Sequence, residues 1–353
     1  MIQNANFLTS VQYSSLLKRR NMRNLTFENF LTPMQERVLR TLLYYDIFRY
    51  PLNADELYRF LGAKVIDRTA FNASLLSLKD CGIIFQFEDF FSVNPDRSLM
   101  DRRKKGNAMA DKFLDIARKK AKLISKFPFV RGVLASGSLS KGYMDEKSDI
   151  DFFVITVANR LWIARTLIVM YKRLFLLNSH KYFCVNYLVD ENHLEIEEKN
   201  LFTATELATV LPLYGSEQYH ELHQFNPWLK NFLPNFQLRS TGNVPVASVS
   251  WIKRCLENFL NVFGDSLERF GHRITLARWK KHYEKSYSPA DFDIAFKSRS
   301  YASKNHPSNF QRVVMQAYEE RLKAFGLDTR PVDENSRSLV RTGSLLQHFT
   351  SGA

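Results

Sequence analysis

The chain has 353 residues, of which 45% are hydrophobic, so it is longer than one average domain and has enough apolar material for two or three packed cores. Its 50 Lys and Arg residues exceed its 36 Asp and Glu residues, and the resulting charge of +14 favours a polyanionic partner such as a nucleotide, a nucleic acid or an anionic membrane surface. The three widely spaced cysteines form neither a zinc-binding motif nor a disulfide framework, and they indicate a reducing compartment.

The first 30 residues are expected to form a flexible N-terminus. Basic residues at 18–20 follow a weakly apolar stretch instead of preceding a hydrophobic one, which is not the order found in a secretory signal. The longest apolar run, 161–177, contains three basic residues that would be costly at the centre of a membrane-spanning helix. We therefore expect a cytoplasmic protein without a transmembrane segment.

Residues 31–98 have the pattern of a winged helix, in which three helices precede a β-hairpin. Helices are expected at 33–45, 53–61 and 68–79, the last with Asp67 as its N-cap, and strands are expected at 83–87 and 90–93. Winged helices bind DNA through the third helix. Here the wing tip is Glu88-Asp89, which would repel phosphates, so a structural or partner-docking role is the favoured alternative.

A long, strongly charged connecting helix is expected at 99–126, where a solvated face explains the charges. Pro128 ends it, and the sequence VRGVLASGSLSKGYMDEKSDIDFFVIT follows. This stretch predicts a strand at 129–136, a turn at Gly137-Ser138, a short helical segment and a second strand at 152–156. Gly137 would let the backbone approach a phosphate, and the Ser138 hydroxyl with the N–H groups at the helix start would bind a triphosphate.

Two carboxylates open the second strand. Residues i and i+2 of a strand point to the same side, so Asp149 and Asp151 are expected to project together while Ile150 enters the core. Carboxylates of this kind hold Mg²⁺ or Mn²⁺ together with substrate phosphates. The triplet Asp291-Phe292-Asp293 has the same pattern but no preceding Gly-Ser turn, and it is interpreted as surface charge.

The Gly-Ser turn followed by an acid–hydrophobic–acid strand resembles the nucleotidyltransferase superfamily, which includes DNA polymerase beta, tRNA CCA-adding enzymes and the minimal nucleotidyltransferases. Ten residues, 139–148, separate the two parts of the motif here. The resemblance covers residues 127–190. It implies a small mixed sheet with flanking helices, a bound divalent metal, and transfer of a nucleoside monophosphate from an NTP to an acceptor.

The third strand, expected at 182–189, departs from the family pattern. The resemblance implies a third carboxylate on this strand, but Asn186 is the polar residue at the inward position. An amide oxygen can ligate a metal or position a hydroxyl, but it is not a general base at neutral pH. Catalysis would then depend on metal-activated attack or on an acid from elsewhere. Among nearby basic residues, Lys141 is the first candidate for contacting phosphates, followed by Arg165.

The C-terminal region is expected to be mostly helical, with helices near 205–213, 249–270, 274–285 and 309–325. A basic and aromatic set around Trp279 and Lys280 has a composition suited to nucleic acid, although helical core aromatics with solvated lysines explain it equally well. The amphipathic segment 251–270 would suit an anionic membrane surface, but core packing is the simpler interpretation.

These patterns predict an α+β protein: a flexible segment at 1–30, a winged-helix-like domain at 31–98, a connecting helix at 99–126, a nucleotidyltransferase core at 127–200, a helical domain at 201–328 and a disordered tail at 329–353. The leading hypothesis is a metal-dependent nucleotidyltransferase. A catalytically silent nucleotide-binding regulator, favoured by Asn186, and a nucleic-acid-binding scaffold are the alternatives. The acceptor, the preferred NTP and the oligomeric state stay open.

Overall fold

The computed structural model describes residues 31–177, 181–305 and 309–329, and it is a mixed α+β protein. The segments expected to be flexible or disordered, 1–30 and all but the first residue of 329–353, lie outside the described residues. Across the described ranges, no helix combines the length and the apolar composition needed to cross a bilayer.

The N-terminal elements are three helices and a three-stranded sheet. Thr32 and Asn53 each cap a helix through a reciprocal capping box, and Asp67 caps the third by accepting a hydrogen bond from the Thr69 N–H at 2.8 Å. The strands pair antiparallel in the order β1-β3-β2. The elements are α1 (Pro33–Asp46), β1 (Leu52–Asn53), α2 (Ala54–Arg59), α3 (Arg68–Asp80), β2 (Phe85–Phe87) and β3 (Phe90–Ser92).

A 27-residue helix, α4 (Ser98–Ile124), connects these elements to a central five-stranded sheet. The sheet has the order β7-β4-β5-β6-β8, in which β5 and β6 are parallel and the other neighbours are antiparallel. Its strands are β4 (Val130–Ser136), β5 (Asp151–Thr156), β6 (Cys184–Asp190), β7 (Leu211–Tyr214) and β8 (Ala302–Lys304).

Helices cover both faces of this sheet because successive strand residues alternate between two apolar cores. Phe152 and Val154 of β5 face one core, which includes residues of α4, α6 (Leu161–Phe175) and α11 (Gly264–Tyr283). Phe153 and Ile155 face the other, which includes residues of α7 (Leu201–Thr209), α8 (Ser216–Gln224) and α9 (Leu229–Phe232). The remaining helices are α5 (Gly137–Ser140), α10 (Trp251–Asn261), α12 (Pro289–Ala295) and α13 (Phe310–Ala324).

The C-terminal region is not purely helical, because it supplies both edge strands of the central sheet. Where one helix was predicted at 205–213, α7 ends at Thr209 and β7 begins at Leu211 to pair with β4. Strand β8 pairs with β6 from 302–304. The predicted helix at 249–270 is two helices, interrupted between Asn261 and Gly264. The sheet therefore crosses the boundary expected at residue 200.

The last helix, α13, joins the N-terminal core instead of closing a separate C-terminal domain. Val314 and Leu322 are buried in the same apolar cluster as Leu39 and Leu43 of α1. A buried ion pair accompanies this packing, since Arg321 Nε lies 3.1 Å from Asp46 Oδ2. The first and last described helices are thus held together by both apolar and charged contacts.

Candidate functional site

The Gly-Ser turn lies directly beside the first residue of β5. Ser136, the last residue of β4, pairs with Asp151, and Gly137 follows with φ +64°. A Cβ at position 137 would lie 2.4 Å from Asp151 Oδ2. The carboxylate therefore occupies the space over the turn, and both the backbone conformation and the close approach require glycine.

Asp149 and Asp151 flank a residue that anchors the strand. Ile150 is fully buried, and its backbone is hydrogen-bonded to the start of β6 and the residues just before it. The Ile150 N–H donates to the Lys181 carbonyl at 2.9 Å, and the Ile150 carbonyl accepts from the Cys184 N–H at 3.1 Å. Both aspartates are half-buried, and Asp149 is close enough for its negative charge to raise the pKa of Asp151. The structure thus brings the two predicted metal ligands together.

Asn186 reaches Asp151 from the neighbouring strand. The pairing of β5 with β6 skips Asn186, since Phe152 pairs with Val185 and Phe153 with Tyr187, and such a bulge redirects the side chain of the extra residue. Asn186 is 7% exposed, and its Nδ2 donates to Asp151 Oδ1 at 2.9 Å. The amide therefore lies at the carboxylate cluster, as the sequence predicted.

The carboxyl group of Asp151 is surrounded by protein atoms, although solvent reaches part of the residue. Burial, with smaller contributions from the negative charges of Asp149 and Glu206, raises the pKa of Asp151 to about 7, and a hydrogen bond with Cys184 opposes this shift. Burial also raises the pKa of the Cys184 thiol, so this thiol is neutral beside the carboxylate. Asp151 is poised to exchange a proton near neutral pH or to release it to a bound cation.

Glu206 is a third carboxylate near this cluster that sequence reasoning missed. It lies on α7, not on β6, and its charge contributes to the raised pKa of Asp151. Its Oε1 accepts a hydrogen bond from Lys141 Nζ at 2.7 Å. A single acidic residue within the apolar run LFTATELATV was the available signal, because a charge in such a run needs a partner.

Lys141 lies at the turn, but its ammonium group is already engaged. Besides Glu206, it donates to the Gly137 carbonyl at 3.0 Å. The N-terminal elements hold the lysine backbone in place, since the Tyr50 hydroxyl donates to the Lys141 carbonyl at 2.5 Å. A phosphate at this turn would therefore compete with Glu206 for the lysine.

Ser138 directs its hydroxyl into the protein. The residue is 7% exposed, and its Oγ lies 3.3 Å from Met144 Sδ. Ser140, two residues further along the chain, donates its hydroxyl hydrogen to the Gly137 carbonyl at 2.8 Å and stabilises the tight turn. In this conformation the Ser138 hydroxyl stabilises the loop, and a phosphate would require it to rotate.

The side chain of Arg165 contacts residues of α6 and α11. Its guanidinium group packs 4.8 Å from the Trp279 ring centre and donates to Thr275 Oγ1 at 3.3 Å. Burial lowers its pKa to about 10. The described contacts thus place this predicted phosphate ligand in the α6–α11 interface, where stacking on an aromatic ring stabilises a buried guanidinium.

Lys304, the last residue of the edge strand β8, is a basic residue near the carboxylate cluster. It pairs with Tyr187 in the sheet, on the face that carries Phe153. Burial lowers the pKa of Lys304, while the negative charges of Glu198 and Glu206 act in the opposite direction. Because β8 was not predicted, the position of Lys304 in the sheet was not expected from the sequence.

The oxygen donors at the turn fit a hard divalent cation that takes some of its ligands from the protein and the others from a substrate and water. Asp149 and Asp151 offer carboxylate oxygens, and Asn186 adds an amide next to them. Among the described residues, no group of three or more His, Cys, Asp or Glu side chains could hold a metal ion by itself. The donor set suits an ion such as Mg²⁺ that retains waters and phosphate oxygens, and it does not suit a closed structural metal site.

On the two surfaces considered for nucleic acid, one basic residue beside the wing is paired and the aromatic side chains are packed, whereas Lys280 and Lys281 are exposed. Lys104 pairs with wing residue Glu88 at 2.5 Å. Trp279 and Tyr283 contact Phe296 at ring-centre distances of 5.7 and 4.6 Å, so they serve the core. The second triplet, Asp291-Phe292-Asp293, lies on helix α12, where residues two apart do not share a face.

Comparison of the chain with profiles of known protein families, with characterised proteins and with solved structures found no match, so the interpretation of the site rests on its own residues.

Proposed function

We propose that this protein is a metal-dependent nucleotidyltransferase that moves a nucleoside monophosphate from an NTP to an acceptor. The observation that carries the proposal is the close fit of Gly137 under the Asp151 carboxylate, which puts the Gly-Ser turn and the acidic pair side by side. A structural acidic pair at a strand edge would not require this glycine. The raised pKa of Asp151 is a further property typical of functional sites.

In this proposal each residue at the turn has a defined role. Gly137 leaves room for the Asp151 carboxylate beside the turn, and Lys141 transfers from Glu206 to a phosphate oxygen, which places a positive charge beside the leaving pyrophosphate. Asp149 and Asp151 would hold the Mg²⁺ or Mn²⁺ ion, with Asn186 orienting Asp151 through its hydrogen bond. When bound, the ion would neutralise phosphate charge and favour ionisation of the attacking group.

We also propose that the chain has two functional parts. Residues 31–98 would be a winged-helix-like unit that positions Lys141 through Tyr50 and docks a partner, and the sheet with its helices would be the catalytic core. The proposed place of work is the cytoplasm, a reducing compartment, which the three widely spaced cysteines of the sequence favour.

The test is incubation of the purified protein with Mg²⁺ or Mn²⁺ and each α-labelled NTP, alone and with total cell extract. The variant Asp149→Asn/Asp151→Asn should abolish labelled product and pyrophosphate release. The matched control Asp291→Asn/Asp293→Asn changes the other triplet, and it should keep full activity once its folding is verified by circular dichroism. Product that survives in the first variant would refute the assignment.

A second candidate is a nucleotide-binding regulator without turnover. Asn186 favours it, because the residue beside Asp151 on the third strand is an amide that cannot accept a proton at neutral pH. This candidate expects NTP binding that depends on Asp149 and Asp151 with no pyrophosphate released. Equilibrium binding and pyrophosphate assays on the same sample separate the two functions.

A further inference from the structure

Helix α10 is attached to the protein by its polar side. Lys253 and Glu257 are 5% and 7% exposed. Lys253 Nζ donates to the carbonyls of Ser125 and Val130 at 2.9 and 2.7 Å, where α4 ends and β4 begins. Glu257 accepts hydrogen bonds from the Phe129 N–H at 2.6 Å and from both terminal nitrogens of Arg131 at 2.9 Å.

The apolar side of the same helix faces outward. Leu256 is 47% exposed and Trp251 is 75% exposed, and further exposed apolar side chains follow in the link between the two helices and in the middle of α11. Large apolar side chains of this set, all at least 47% exposed, are Trp251, Ile252, Leu256, Phe259, Val262, Phe263, Phe270 and Ile274. We call these residues the α10–α11 face. A concentration of exposed large apolar side chains on two consecutive helices is typical of a binding site for a protein or a membrane.

Rotation of α10 to hide this face would be costly. It would remove the buried Lys253 ammonium from two carbonyls and the Glu257 carboxylate from Arg131, and buried charges without partners strongly destabilise a protein. The orientation is therefore fixed by the strongest contacts of the helix. Its exposed apolar side is a consequence of those contacts and not of loose packing.

The charges around the face are positive. Arg254, Arg269, Arg273, Arg278 and the Lys280-Lys281 pair are all exposed on these two helices. The acidic residues of the same helices are engaged inside the protein or at its edge: Glu257 with Arg131, Asp265 with Arg160 at 3.1 Å, and Glu268 with the first N–H groups of α6. Asp265 stays exposed at this edge, and Lys280 lies 3.9 Å from Glu284, but the two helices carry six exposed Lys and Arg side chains against one exposed acidic side chain, so their outward charge is positive.

We infer that the α10–α11 face binds the surface of an anionic lipid bilayer. Aromatic and aliphatic side chains would enter the boundary between headgroups and acyl chains, while long basic side chains at its margins contact lipid phosphates. The positive rim distinguishes this occupant from a second copy of the same chain, which would bring like charges together. This inference is independent of the nucleotidyltransferase proposal, because no residue of the Gly-Ser turn takes part.

The protein carries its own reporter for this contact. Of its four tryptophans, Trp162, Trp228 and Trp279 are at most 8% exposed, whereas Trp251 is 75% exposed and lies on the face. Full-length protein would be mixed with vesicles of phosphatidylcholine containing phosphatidylglycerol, with and without brominated acyl chains. We expect a blue-shifted, bromine-quenched emission that is absent in Trp251→Phe, and co-flotation that weakens as salt is raised.

Variants define the contact. Phe259→Glu should lower vesicle binding at least about tenfold, since it places a charge in the apolar centre of the face. Ile66→Glu is the matched control, because Ile66 is 94% exposed on a different part of the chain, and it should bind as the wild type does. Absence of vesicle binding, equal binding to pure phosphatidylcholine, or a self-association that Phe259→Glu abolishes while vesicles have no effect would each overturn the inference.

Discussion

Asn186 Nδ2 lies 2.9 Å from Asp151 Oδ1, so a neutral donor occupies the place where a carboxylate would meet a like charge. With the pKa of Asp151 already raised to about 7, an acid at position 186 would ionise reluctantly unless a cation lay between the two groups. An acid at position 186 would therefore lower the stability of the metal-free protein and raise its affinity for a divalent ion, whereas Asn186 avoids the first effect.

Asn186→Asp should show both effects directly. Without metal at pH 8, we expect a lower melting temperature than in the wild type because two carboxylates would face each other. Added Mg²⁺ should restore stability and produce a larger upward shift than in the wild type. Asn186→Ala loses the hydrogen bond without adding a charge, so its melting temperature should fall with no extra response to Mg²⁺. Calorimetry with and without Mg²⁺ measures all three, and an equal response in the two variants would argue against a cation at this position.

Gly137→Ala should disrupt the turn by two effects that a second glycine separates. Gly137 and Gly142 have similar positive φ values, +64° and +68°, but a Cβ at 142 meets no atom within 4 Å. Gly142→Ala should therefore cost only the left-handed strain, about 1–2 kcal/mol. Gly137→Ala adds a collision with Asp151 and should cost about 3 kcal/mol or more while abolishing nucleotide binding. Urea unfolding and binding of a fluorescent ATP analogue provide the measurements, and equal costs at the two positions would contradict the close approach.

Asp151→Asn should stabilise the metal-free protein at alkaline pH. The pKa of this acid rises from 3.8 to about 7 on folding, so the folded state retains a proton that the unfolded state releases. Stability is then fully present below pH 4 and declines as the pH rises from about 4 to about 7. The variant removes this decline, and its advantage at pH 8 should be about 2–4 kcal/mol, vanishing near pH 4. Urea unfolding in EDTA at both pH values tests this, and an advantage that persists unchanged at pH 4 would indicate another cause.

Glu206→Gln should strengthen nucleotide binding by releasing Lys141. The half-buried pair, with Nζ and Oε1 2.7 Å apart, competes with any phosphate for the lysine. A pair of this kind contributes about 1 kcal/mol, which corresponds to roughly fivefold tighter ATP binding. Glu195→Gln removes a similar but exposed pair with Lys199 and should leave affinity unchanged. Titration with ATP decides the matter: weaker binding in Glu206→Gln would instead make Glu206 part of the metal–nucleotide site.

The sequence predicted those parts of the fold whose signals are local. The cap at Asp67, the apolar stripe of α3 and the break at Pro128 depend on neighbouring residues, and the structure has these elements within a few residues of their expected ends. Strands β7 and β8 have no such signal. Several of their residues, including Pro212 and Lys304, are poor strand formers, and both segments are extended because β4 and β6 offer edges to pair with.

The candidate site was likewise predicted only where local signals place its residues. Gly137, Asp149, Asp151 and Asn186 are close in sequence or in adjacent strands, and their grouping followed from strand geometry. The positions of the basic and acidic partners of these residues did not follow from strand geometry. Glu206 arrives from a helix whose position is set by packing on the sheet, and the placement of Arg165 depends on the α6–α11 interface. Such contacts are tertiary, so neither spacing nor periodicity specifies them.

Strand β8 has a consequence for how the molecule is assembled. It pairs with β6 more than a hundred residues earlier in the chain, and α13 then packs on α1 at the opposite end. During synthesis, the acidic cluster would be built before its flanking strand exists, leaving the β6 edge open for pairing with another chain. Emergence of β8 and α13 would close that edge and the first core together, so a product truncated before residue 302 is expected to aggregate.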